Sequence, residues 1–255
     1  MTRWFGAARW LALAVAMVLG ADLAAAQPKD ALSPKQKKEV ETLIRDYLKQ
    51  NPGLIIELLQ DAQRFQEEQE ATRSRANLVA HREALYKDAN APIGGNPKGD
   101  VTIVEFFDYK CPYCKNVVPA LVEAIERDKR VRIVFKELPV LGPESVIAAR
   151  AALAARKQNK YGDLHFALMG LKGGFSEAQI FAAAEGVGLD VKRLREDMRA
   201  KEIDDMLVAN RRLASMLGIR GTPGFVIGDN VIRGAIDGDA LAEAIADARA
   251  KCMSC

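Results

Sequence analysis

The sequence is poor in histidine, with only His81 and His165 among 255 residues, and it holds four cysteines. It has no histidine-rich or methionine-rich cluster, which argues against the ligand sets of a dedicated transition-metal protein. Charge of one sign is lacking too. Lys and Arg number 37 against 34 Asp and Glu, for a net charge of +3, and the two signs are interspersed. That balance leaves no electrostatic footprint for nucleic acid, and none is expected as a partner. No apolar run reaches the ~20 residues that a spanning helix needs. With 49% hydrophobic and 28% charged residues, the composition is ordinary for a globular protein with a sizeable core.

What the sequence does have begins with a targeting segment. Arg3 and Arg9 form a basic start, Trp10 to Leu19 is apolar throughout, and Ala24-Ala25-Ala26 supplies small residues of the kind a signal peptidase accepts. A signal peptide over residues 1–26 is expected, with export and cleavage after Ala26. Export bears on the cysteines, because disulfides form and persist outside the cytoplasm.

Three regions follow. Over residues 27–90 the apolar residues recur with helical period. Val40, Leu43, Ile44, Tyr47 and Leu48 make one stripe, and Leu54, Ile55, Leu58, Leu59, Ala62 and Phe65 make another after Asn51-Pro52-Gly53. Ser33 followed by Pro34 suits the start of the first helix. Two short amphipathic helices cannot close a core alone. Because "DANAPIGGNPKGD" has the composition of a linker, this arm is expected to associate with copies of itself through residues 34–66. Docking on its own chain is the alternative.

The next region, residues 91–250, opens with "VTIVEFFDY", which reads as a buried strand, then "CPYC", a helical segment, and a second strand "VRIVFKELPV". Strand, helix, strand implies a parallel βαβ unit in an α/β fold. Residues 143–217 are helical in composition. "TPGFVIG" and "VIRGAI" then read as a hairpin with its turn at Gly228-Asp229-Asn230, and "DALAEAIADARA" as a closing helix. Residues 251–255 form a tail with a second pair, Cys252 and Cys255.

Cys111 and Cys114 can bind a metal, staple the chain or exchange electrons. Paired CxxC zinc ribbons keep ~15–20 residues between pairs, far fewer than lie between Cys114 and Cys252. A staple gains little from closing so short a loop. For exchange, the spacing fits. Cys111 at the amino end of a helix favours thiolate, although the dipole contributes at most ~2 kcal/mol. Further stabilisation of the sulfur is expected from the Cys114 S–H and the N–H groups of residues 113 and 114, and Pro112 fixes the turn. Cys114, one turn on, can attack a mixed disulfide held on Cys111. Glu105, six positions before Cys111, would lie on the strand beneath. If buried there, it can exchange a proton with Cys114. Lys110 and Lys115 flank the pair.

Strand, Cys-Pro-Tyr-Cys, helix, long helical insertion and "GIRGTPGFVIG" together resemble the thioredoxin fold of the DsbA family, split by an inserted helical domain. The resemblance implies a periplasmic protein disulfide oxidoreductase or isomerase with no cofactor. Its redox pair would be Cys111 and Cys114 around the Pro112-Tyr113 dipeptide. It also implies a cis Thr222–Pro223 pair that faces the CxxC and receives the substrate backbone. Its partners would be disulfide-containing or reduced exported proteins and a membrane redox partner. "VETLIRDYLKQNPGLIIELL" is similar to the amino-terminal segment of ScsC-like proteins, the suppressor-of-copper-sensitivity relatives of DsbA. That likeness implies a homo-oligomer with isomerase or reductase work; a monomer would imply a dithiol oxidase. Copper binding by soft thiolates is a further reading. Glu137, in "FKELPV", is either near the site or a strand-end surface residue. Cys252 and Cys255 are a candidate second redox pair, a local disulfide or, with Met253, a soft ligand set. His165 reads as a packing residue and His81 as a solvated one.

Overall fold

The computed structural model describes residues 32–172 and 175–251. The expected signal peptide, Cys252 and Cys255 lie outside the described residues. The chain divides into two units, residues 1–63 and 64–255. In the first, Ser33 caps α1 (Pro34–Gln50) with its side chain on the Gln36 N–H, while Gln36 reaches back to the Ser33 N–H at 2.9 Å. Asn51 ends this helix and Pro52 opens α2 (Pro52–Ala80). No residue of α1 is buried. Its apolar stripe is solvent-exposed, with Leu43 at 69%.

The second unit is built on a five-stranded sheet. In chain order its strands are β1 (Ile93–Gly95), β2 (Val101–Phe107), β3 (Val131–Glu137), β4 (Gly224–Ile227) and β5 (Asn230–Arg233), arranged β1-β3-β2-β4-β5. β2 and β3 run parallel, joined by α4 (Pro112–Arg127), and the other pairings are antiparallel. Every residue of β2 is buried, as expected of a central strand covered on both faces. One face carries Ile103, Phe107, Ile133 and Phe225 under α4, α10 (Gly238–Lys251) and the helical insertion. That insertion comprises α5 (Pro143–Ala155), α6 (Tyr161–Gly170), α7 (Glu177–Gly186) and α8 (Val191–Asp197), followed by α9 (Lys201–Met216). The other face carries Val104, Phe106, Val134 and Val226 against Leu78 of α2, Leu85 of α3 (Arg82–Tyr86), and Leu213 and Leu217 at the end of α9.

Two features depart from the sequence reading. The division between units falls inside α2, not at the glycine-rich segment after residue 90. Residues 64–91 pack on the sheet through Leu78, Leu85 and Ala91, and the supposed linker contains β1. Its glycines serve close approach rather than freedom: a Cβ on Gly94 would meet the Phe135 ring at 2.8 Å, and Gly95 has φ +68°. The hairpin turn is two residues, Gly228 and Asp229, since Asn230 already pairs with Ile227.

Lys136 is 2% exposed and its ammonium meets Asp88 at 2.6 Å, tying the turn before β1 to β3. Removing the carboxylate leaves a buried cation without its partner. Asp88→Ala is therefore expected to cost about 3 kcal/mol in urea unfolding, whereas Asp88→Ala with Lys136→Met recovers most of it. Equal losses in the single and double variants would contradict this.

Candidate active site

β2 ends at Phe107, and three residues carry the chain to Cys111, the N-cap of α4. Asp108 shapes that turn. One carboxylate oxygen accepts the Lys110 N–H at 2.8 Å, and the other accepts the Val140 and Leu141 N–H groups at 2.8 and 3.0 Å. The Asp108 carbonyl accepts the Cys111 N–H at 3.0 Å. Pro112 occupies the first helical turn, where its missing N–H costs nothing. Cys111 and Cys114 are both free thiols and both buried.

Cys111 is 3% exposed, more covered than a residue at a helix end would suggest. Its thiol donates to the Thr222 carbonyl at 3.3 Å, and the Thr222–Pro223 bond is cis. The expected hydrogen bonds from the N–H groups of residues 113 and 114 are not made, because the Cys111 side chain accepts no capping bond. As a thiol it acts as donor toward the loop opposite. Tyr113, between the two cysteines, is 63% exposed.

Glu105 lies on the β2 face that carries Ile103 and Phe107, between Phe135 of β3 and Phe225 of β4. Neither of its carboxyl oxygens has a hydrogen-bond partner among the described residues. Burial raises its pKa from 4.5 to about 8, since a desolvated carboxylate without donors is disfavoured. The Cys114 thiol is also held far above its ordinary value, first by burial, with the neighbouring Cys111 and Glu105 adding to it. Together these make a proton exchange between Cys114 and Glu105 chemically sensible. Neither group parts readily with a proton to solvent.

A second buried cluster adjoins the turn. Glu137 is buried at the end of β3 and accepts the Tyr109 and Tyr161 hydroxyls on one oxygen, at 3.1 and 2.9 Å. The His165 Nδ1 is 3.1 Å from the Tyr109 oxygen. Burial holds the His165 pKa near 3 and keeps its ring neutral. The proton arrangement that uses every contact runs from His165 Nδ1–H to Tyr109, and from the Tyr109 O–H to Glu137. Glu137 is thus not a surface residue, and His165 is more than packing. Tyr109, Tyr161 and His165 were missed as a group because α6 and β3 are far apart in sequence. The available signal was the parity of β3, which puts Glu137 on the face of Phe135.

The flanking lysines turn elsewhere. Lys110 pairs with Glu144 at 3.0 Å, and Lys115 donates to the Leu171 carbonyl while lying over the Phe175 ring. A groove of about 690 Å³ runs beside Pro112 and Lys115, floored by Phe166, Met169, Leu171 and Phe175. Among the described residues no group of three or more His, Cys, Asp or Glu is placed to hold a metal ion.

Residues 102–246 match the family model of the DSBA-like thioredoxin domain. A thioredoxin-like oxidoreductase from Silicibacter pomeroyi is 44% identical, with a TM-score of 0.66 covering 67% of this chain and 99% of that one. A linker-deletion mutant of Proteus mirabilis ScsC is 32% identical, with a TM-score of 0.67 over 88% of this chain and all of that one. A periplasmic thioredoxin-like protein from Salmonella enterica is 30% identical, with a TM-score of 0.61 over 67% of this chain and 96% of that one. Among curated proteins, a Na(+)/H(+) antiporter NhaA of Salinispora arenicola is 29% identical over 158 residues, or 61% of this chain. The chain spans 24% of that relative's length.

The unfolded carboxyl at residue 105 loses its proton near pH 4.5 and the folded one near pH 8. Between those values the folded state binds the extra proton, so the Glu105 contribution to stability declines as pH rises. Glu105→Gln is expected to melt higher than wild type at pH 9, with the difference closing toward pH 4. Parallel melting curves across that range would refute the buried neutral carboxyl.

Proposed function

The chain belongs to the DSBA-like thioredoxin family, and from that premise we propose that it is a periplasmic enzyme which exchanges disulfides with exported proteins through Cys111 and Cys114. The carrying observation is the Cys111 thiol at 3.3 Å from Thr222, with Cys114 buried behind it on the face that holds Glu105. A substrate strand laid along Thr222–Pro223 brings its sulfur to Cys111, which faces this loop.

In the reducing direction, Cys111 thiolate attacks one sulfur of a substrate disulfide, and the other sulfur leaves as thiolate. Cys114 then passes its proton to Glu105 and attacks the Cys111 sulfur. The Cys111–Cys114 disulfide forms and the substrate thiol is released, two electrons having moved to the substrate. Oxidation is the reverse, and resetting the pair needs a redox partner in the membrane. Pro112 and Tyr113 hold the two sulfurs at this spacing. Export rests on the amino-terminal sequence and is supported by the Salmonella relative named as periplasmic.

The apolar residues of the first unit favour isomerase or reductase work over simple oxidation. Leu43, Ile44, Tyr47, Leu58 and Leu59 are exposed, and a homo-oligomer through residues 34–66 covers them. Several active sites around one space let a mixed disulfide be resolved by rearrangement. Two experiments test the proposal. Cys111→Ala should abolish insulin reduction and scrambled-ribonuclease refolding, while Cys114→Ala should accumulate a mixed disulfide on Cys111. Activity retained without Cys111 would end the proposal. Leu43→Lys with Leu59→Lys should reduce the solution mass to that of one chain and remove isomerase but not reductase activity. A wild type that already has the mass of one chain would leave the oxidase reading.

A further inference from the structure

The loop that carries Thr222 and Pro223 starts at the carboxyl end of α9. A helix end leaves carbonyls without partners, and here a Schellman turn satisfies two of them. Ile219 N–H bonds the Ala214 carbonyl at 2.8 Å and Gly218 N–H bonds Ser215 at 3.1 Å, with Gly218 at φ +71°. The next three carbonyls are taken by side chains from two other elements. Asn77 of α2 donates to Met216 at 2.6 Å, and the buried Ser74 hydroxyl donates to Leu217 at 3.0 Å. Arg233, at the end of β5, reaches Leu217 and Gly218, each at 2.9 Å, and lies 3.4 Å from the Ser74 oxygen. Arg220, inside the loop, pairs with Glu70 of α2 at 2.9 Å.

The other end of the loop is held by the neighbour of Arg233. Gly234 N–H donates to the Pro223 carbonyl at 2.9 Å, and Arg233 itself stands opposite Gly224 in the β4–β5 ladder. Gly224 has no room for a side chain, because a Cβ there would meet Ile219 at 2.6 Å. Both ends of the Gly218–Pro223 segment therefore depend on one short stretch of β5, backed by polar residues of α2. Ordinary packing of α2 needs none of these groups, since Leu78 already anchors it.

We propose that Arg233, together with Ser74 and Asn77 of α2, is a positioning unit that holds the Thr222–Pro223 loop at the correct height over Cys111 for the substrate strand. This rests on the disulfide-exchange reading given above. None of the three residues touches the cysteines; they act through the loop. Helix α2 is thus part of the substrate-binding apparatus, not just a connection to the first unit.

Two variants test it: Arg233→Lys, which keeps the charge but loses the fork that spans two carbonyls, and Ser74→Ala with Asn77→Ala. In both, KM for a cysteine-containing disulfide peptide should rise about tenfold, the factor that roughly 1.4 kcal/mol of lost hydrogen bonding carries. Alkylation of Cys111 by iodoacetamide should quicken, because the loop that covers it and accepts its thiol hydrogen bond is held less firmly. Amide exchange at residues 218–223 should quicken, with that of α4 unchanged. Unchanged KM and unchanged exchange overturn the inference, as does a loss of all activities in proportion to unfolded protein. A wild type inactive on the peptide overturns the oxidoreductase reading instead, and the exchange measurement then still decides whether the loop is held as described.

Discussion

A carboxyl group and two thiols share one dry place at the junction of β2 and α4, and the rest of the molecule is arranged around that constraint. Glu105 has no donor for either oxygen, and Cys114 is fully covered. In such a place neither group ionises cheaply. Below about pH 8 each therefore keeps its own proton. On the proposed exchange reading, this keeps the second cysteine inert until the first holds a substrate sulfur, the condition for a pair whose two members do different work. Metal binding and stapling need neither a covered second cysteine nor an unpartnered acid beneath it.

Rigidity at this junction comes from three directions. Asp108 locks the turn against the loop after β3, and Tyr109 is fixed by Glu137 and His165. Arg233 and α2 fix the opposing loop. Most of these contacts are hydrogen bonds to backbone carbonyls or amides. The helical insertion contributes Tyr161 and His165 to this support, and with Phe166 and Met169 it also walls the groove beside Pro112.

The parts legible in the sequence were those written locally. The β-branched run before Cys111, the CPYC pair and the second strand each announce themselves within a few residues, and Thr222-Pro223 was legible through the family resemblance. The position of Glu105, six residues before Cys111 within that apolar run, was what put it on the strand beneath the pair. The parts that were not legible depend on distant partners. "GG" in residues 94–95 has linker composition, yet its glycines admit the Phe135 ring and a left-handed turn. Ser74 and Asn77 look like the solvent face of a polar helix, and nothing near them reveals that the carbonyls of α9 await them. Glu137 and His165 belong to elements that meet only when the insertion folds back on the sheet. Burial of Cys111 itself was also hidden, because the loop that covers it lies more than a hundred positions later.

The central claim is that Glu105 takes the Cys114 proton when the mixed disulfide is resolved. Its most direct test is the pH dependence of that single step, followed by rapid quench of a preformed Cys111–peptide disulfide in wild type and in Glu105→Gln. The account predicts that the wild-type rate rises with pH through an inflection near 8, the pKa of Glu105, and that the inflection disappears in the variant. The same inflection in both proteins would contradict it.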